Sequence, residues 1–202
     1  MRKWLGAGVL LLTALLIESC APKSQTDCGF VQNSYGERVS WKDTAPITVS
    51  IHESVPDEFV GAIQSAADTW EKSAGHKLFI INTKKVTGPI APHKDGSNII
   101  YFMDTWDAAK PTEQARTSIY WTGDQIGEAD IRVNALNFKF YWNGQKNSTE
   151  VNFEALILHE LGHVLGLKHK DSGGSVMATY LPSGLDRIQL AATDVTDIKC
   201  EY

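Results

Sequence analysis

Cysteine is scarce in this chain, with three in 202 residues. Disulfides can therefore close at most one loop, and the fold must rest on a hydrophobic core. Lysine and arginine form no stripe or cluster, and the formal net charge is −5. That balance argues against a nucleic-acid partner. No internal repeat, low-complexity tract or second domain is visible, which points to a single unit. Long apolar runs are missing as well, apart from Trp4 to Ile17, itself broken by Gly6, Gly8 and Thr13. This run is shorter than the roughly 20 residues of a spanning helix. Placed behind Arg2 and Lys3, it has the layout of a secretory signal. Once a leader is removed, some 180 residues suit one domain of ordinary size.

Against this background one segment stands out: His159-Glu160-Leu161-Gly162-His163-Val164-Leu165-Gly166-Leu167-Lys168-His169. Its first five residues fit H-E-x-x-H, and Leu156, Ile157, Leu161, Val164 and Leu165 recur with helical spacing. On a helix, His159 and His163 share one face and can reach one metal ion. Glu160 then lies beside the ion as a base without ligating it. Gly166 suits the left-handed conformation that ends a helix, so the chain can turn back and offer His169 as a third ligand. Three imidazoles leave the fourth position of a tetrahedral Zn2+ site open, the mark of a catalytic site. One zinc ion is the cofactor expected.

With these residues the chain resembles the metzincin clan of zinc endopeptidases, whose motif H-E-x-x-H-x-x-G-x-x-H is followed by a methionine turn. Ser175-Val176-Met177 lies eight residues beyond His169, and the resemblance makes Met177 the residue beneath the metal. Ser172-Gly173-Gly174 supplies flexible backbone for the turn. Metzincins of two other branches use a tyrosine two residues after the methionine. Tyr180 stands three after Met177, a departure from that spacing, and is a candidate contact to the transition state or the pocket. The loop from Tyr180 to Leu185 is expected to line the pocket for the side chain after the scissile bond.

The remaining pattern reads as α+β. Ile47 to Ile51 alternates as a strand. Phe59, Ile63, Ala66, Ala67 and Trp70 follow helical steps up to Gly75, with Trp70 as a core residue. Leu78 to Ile81 and Asn98 to Phe102 are further strands. Thr117 to Trp121 and Ala129 to Val133 form another pair, joined by a loop holding Gly123 and Gly127. Phe138 to Trp142 reads as a strand ending at a hairpin turn, Asn143-Gly144. The active helix starts near Thr149 or Asn152, either of which could cap it. A final helix is expected from Thr193 to Cys200. This order is similar to the matrixin branch of the metzincins, with local matches at Ala66 to Trp70 and Ala129-Asp130-Ile131. The resemblance implies a mixed twisted sheet, a first helix, an active-site helix, a Met-turn and a C-terminal helix over residues 45–202. The histidine and aspartate cluster that holds structural zinc and calcium in matrixins is not recognisable, and His93 and Asp95 read as solvated.

Ile17-Glu18-Ser19-Cys20 resembles a bacterial lipobox, which implies cleavage after residue 19 and lipid on Cys20. Glu18 departs from the usual small or apolar residue, and a plainly secreted enzyme is the alternative. Ala21 after the cysteine implies outer-membrane sorting where a cell has two membranes. Residues 20–44 then form the anchor, a polar tether over 21–28 and an N-terminal segment. Cys28 and Cys200 are candidates for a disulfide. The alternative is Cys28 as an inhibitory thiolate on the zinc, as in the matrixin propeptide, of which Asp27-Cys28-Gly29 is only a fragment. Asn147-Ser148-Thr149 fits a glycosylation sequon that a bacterial lipoprotein leaves bare. The expected activity is endoproteolysis by a monomer, with a protein or peptide substrate added to the sheet edge at Thr117 to Trp121. The competing reading is a surface-tethered protein that binds zinc without hydrolysis.

Overall fold

The computed structural model describes residues 24–90, 92–144, 148–172 and 174–202. The leader, Cys20 and Asn147 of the sequon lie outside these residues. Five strands make one sheet: β1 (Ile47–His52), β2 (Phe79–Val86), β3 (Ile99–Met103), β4 (Ala115–Thr122) and β5 (Gln125–Asn134). Their order is β2-β1-β3-β5-β4, with β4 antiparallel to β5 and every other pair parallel. The single antiparallel strand therefore forms one edge of the sheet. Between β1 and β2 runs α1 (Val60–Ala74), closed by Gly75 at φ 84°, a conformation that favours glycine.

Helix α1 buries Ala62, Ile63, Ala66, Ala67 and Trp70. Trp70 is fully buried, and its indole nitrogen donates to the Leu158 carbonyl at 2.9 Å. That contact joins α1 to α2 (Phe153–Val164), the active helix. Asn152 caps α2 by accepting from the Ala155 amide at 2.9 Å, which settles the start between the two expected positions. Nine of the twelve residues in α2 are buried, so it is a core element with little amphipathic character. A short helix, α3 (Ala192–Ile198), ends the fold.

Three strand expectations change. β2 extends to Val86, well beyond Ile81. Gly127 lies inside β5, and the β4–β5 turn is made at Gly123, φ 65°, with Asp124. Phe138 to Trp142 forms no hairpin. Only Phe140–Tyr141 is extended, as β6, and it pairs in parallel with β7 (Val151–Asn152). A two-residue turn cannot join parallel strands, so the Asn-Gly signal marked a bend in a longer loop. Aromatic packing overrides the local signal there, since Phe140 meets Phe153 edge-on at 5.6 Å and Phe102 at 5.5 Å.

Residues before β1 belong to the same core. Phe30 and Val39 are fully buried, and the Trp41 indole donates to the Val164 carbonyl at 2.7 Å. The polar stretch ahead of them is also held down. The Gln25 amide donates to the Gly36 carbonyl at 2.9 Å, and the Gln25 side chain accepts from the Arg38 amide at 2.8 Å.

Candidate metal centre and cleft

The two histidines of α2 and His169 after its end converge as the spacing requires. His163 Nε2 lies 3.1 Å from His159 Nε2 and 3.1 Å from His169 Nε2. On two of the rings the other nitrogen is engaged. His159 Nδ1 donates to the Val176 carbonyl at 2.7 Å, and His163 Nδ1 to the Leu167 carbonyl at 2.7 Å. These bonds fix the tautomer and leave the Nε2 lone pairs free for a metal. Burial pushes both His159 and His163 down to about 4, so the two are neutral at neutral pH. Nitrogens bound to zinc at 2.0–2.1 Å in a tetrahedron lie roughly 3.3 Å apart, close to the spacing here. The donor set thus fits zinc. Among the described residues it is the one cluster of three metal-binding side chains close enough to share an ion.

The backbone that sets this geometry depends on two glycines. Gly166 has φ 101°, and a Cβ there would stand 2.2 Å from the Val39 carbonyl oxygen. Gly162 faces the methionine turn, where a Cβ would lie 2.3 Å from Met177 Sδ. Met177 is buried beneath the histidines' helix. Its turn is held from α3: Asp194 accepts from the Ser175 hydroxyl at 2.5 Å and from the Val176 amide at 3.0 Å. Asp194 also accepts from the Ala191 amide at 2.9 Å. Since Val176 holds His159, Asp194 orients that ligand at one remove. No local pattern marked its part in the methionine turn in advance, because Val176 and Ser175 lie eighteen and nineteen residues away.

Glu160 is buried at the cleft floor. Loss of hydration raises the pKa of its carboxyl, opposed by His163 and by a hydrogen bond from Thr117. The Thr117 hydroxyl donates to Glu160 Oε2 at 2.5 Å. Thr117 was expected only as part of a strand edge, and its hydroxyl contact could not be read from spacing. β4 brings it there, running along a cleft of about 890 Å³ that takes in Glu160 and the three histidines. Tyr180 and Leu181 reach the same cleft, whereas Pro182, Gly184 and Leu185 do not line it. Tyr180 is 70% exposed, with its carbonyl accepting from Arg187 Nη1 at 3.2 Å.

Cys28 and Cys200 form a disulfide, with Cα atoms 6.3 Å apart. Cys28 therefore is not directed at the metal centre. The loop with His93 and Asp95 is less isolated than its composition implied. Glu128 accepts from the Asp95 amide at 3.1 Å and from the Gly96 amide at 2.5 Å, while Asp130 accepts from the Ile99 amide at 3.1 Å. Glu128 and Asp130 are buried, and burial raises Asp130 to about 6. These acids tie the loop to the sheet through backbone bonds.

No curated protein matches the chain. A family model does: the Matrixin model aligns with residues 40–202, a span that holds the histidine triad, Glu160 and Met177. Zinc is the metal of that family and peptide-bond hydrolysis its activity. The alignment begins five residues ahead of the expected domain start and runs to the last residue, and on that extent the chain belongs to the matrixin family.

Proposed function

We propose that the protein is an exported zinc endopeptidase in which Glu160 is the general base and the lipid on Cys20 tethers the domain to a membrane. The observation that carries the catalytic part is the buried Glu160 carboxylate set next to the three converging Nε2 atoms and gripped by Thr117. His159, His163 and His169 hold the metal. When bound, zinc supplies a Lewis acid that polarises the scissile carbonyl and makes water more acidic.

The chain's own groups do the rest. The free edge of β4 accepts an extended peptide as an added strand and fixes its main chain across the cleft. Glu160 takes a proton from the attacking water, then hands it to the departing amine. A carboxyl whose pKa burial raises is a stronger base towards the water, and the more basic departing amine then takes the proton from it. Thr117 keeps one carboxylate oxygen directed into the cleft. The Leu181 side of the cleft receives the residue after the scissile bond.

The test is cleavage of a quenched peptide library by the chain lacking residues 1–20. Cleavage should stop with a zinc chelator and return with zinc. Glu160→Gln should lower kcat/KM by about 10²–10⁴-fold while zinc stays bound, the range for loss of a general base. A variant as active as the parent would remove Glu160 from that role. Zinc-loaded protein inert towards every peptide would instead support a binding protein. Incorporation of labelled fatty acid at Cys20, abolished by Cys20→Ala, tests the tether separately.

A further inference from the structure

The Cys28–Cys200 disulfide ties two segments that are 172 residues apart, and both lead into the metal centre. On the Cys28 side, Gly29 to Val31 pair with Gly166 to Lys168. The Lys168 amide donates to the Gly29 carbonyl at 2.8 Å, and the Val31 amide to the Gly166 carbonyl at 2.9 Å. Phe30 stands opposite Leu167 in an antiparallel bridge. Leu167 is the residue whose carbonyl holds His163. His169 sits between two lysines that are both ion-paired to the same clamp. Lys168 meets Asp27 at 2.9 Å, and Lys170 meets Asp197 of α3 at 2.5 Å. On the Cys200 side, α3 carries Asp194, which fixes the turn that orients His159.

We propose that this disulfide is a positioning device for the metal centre, holding residues 29–31 against 166–168 so that closure of the bond sets the affinity for zinc. The proposal rests on the zinc reading above. Its physical basis is preorganisation. Ligands already fixed at the metal's spacing lose less freedom when the ion binds. Opening the bond does not free the segment wholly, because Phe30 is fully buried and keeps its own hold. What is lost is the covalent link between the strand that supports His163 and His169 and the helix that supports His159. The expected effect is therefore graded, on the order of a tenfold loss in zinc affinity, the usual range of a coupling between two sites.

Such coupling must be reciprocal. Zinc should make the disulfide harder to reduce by the same factor. Reduction in a glutathione buffer balances as two glutathione thiols becoming their disulfide, while the protein disulfide takes up two electrons and two protons as two thiols.

The experiment uses the folded chain lacking residues 1–20, so that Cys28 and Cys200 are its only cysteines. Zinc affinity is read by competition with a chromophoric chelator for the oxidised parent, Cys28→Ser, Cys200→Ser and the double variant. Each single variant should bind zinc about tenfold more weakly, with the double variant no worse. In parallel, the parent is equilibrated in glutathione buffers with and without saturating zinc, and the reduced fraction is counted by thiol labelling. The equilibrium constant should shift about tenfold towards the disulfide when zinc is present. If the bond merely stabilised the fold, its removal would lower the melting temperatures of the metal-free and loaded forms alike and leave both readouts unmoved. Equal zinc affinity in parent and variants, or an unmoved reduction equilibrium, overturns the proposal and leaves the zinc reading standing. Failure of the oxidised parent to bind zinc at all removes that reading, and the proposal with it. Should the serine variants not fold, the glutathione arm on the parent still decides.

Discussion

The Thr117–Glu160 pair is a sharp point of leverage at the residue scale. The hydroxyl lowers the carboxyl's pKa against the opposing effect of burial. Thr117→Val keeps the shape of the side chain and removes that bond. The Glu160 pKa should then rise, and the acidic limb of the kcat/KM profile should move to higher pH, since the base must be ionised to act. Proteolysis measured from pH 4 to 9 checks this; a limb that moves the other way or not at all would separate Thr117 from Glu160. Here the sequence was informative only in part. Four site residues, His159, Glu160, His163 and His169, lie within eleven positions, and helical geometry alone brings the first three together. Thr117 is forty-three residues away from Glu160, and only the sheet's closure against α2 joins them.

At the scale of elements, the metal centre is a three-part assembly of α2, the methionine turn and α3. Asp194 is the joint, serving Ser175, Val176 and Ala191 at once. Asp194→Ala leaves two buried donors, Ser175 and Val176, and the half-buried Ala191 amide without their acceptor. A loss of about 3 kcal/mol in unfolding free energy is expected, a typical cost for stranded buried polar groups. Urea unfolding of the metal-free protein measures it. Gly166→Ala should also destabilise, by about 1–3 kcal/mol, from backbone strain with the Val39 carbonyl in the way; the same titration reads it. The long elements were legible because burial follows their period, as with Ala62, Ile63, Ala66, Ala67 and Trp70 in α1. The β6 segment was not. Its Asn-Gly signal is local, while its partner was chosen by aromatic packing on Phe153.

The whole molecule carries a pair of buried acids, Glu128 and Asp130, that the chemistry does not use. Burial raises Asp130 to about 6. A carboxyl whose folded pKa lies above its unfolded value of about 3.9 stabilises the fold below that value, and the contribution is lost as pH rises through 6. Asp130→Asn has no such dependence. The melting temperature of the variant relative to the parent should therefore climb between pH 4 and pH 7. A flat difference across that range would show that Asp130 ionises freely in the fold. Fold class, element order and the edge strand beside the cleft were all readable from pattern. The part that residues 24–41 play in the core was not, because Phe30, Val39 and Trp41 follow no period that would reveal them as core.

The early docking of Gln25 onto Gly36 and Arg38 has a spatial consequence. Five residue steps separate Cys20 from Gln25, and an extended chain spans at most about 3.6 Å per step. With lipid on Cys20, the domain hangs on a leash of no more than about 18 Å. The segment that leaves Gln25 runs on to Val31, at the wall of the cleft. An enzyme so mounted does not sweep a volume of solvent. On the proposed tether it would patrol a thin layer over the bilayer, and its substrates would be the chains that pass through that layer.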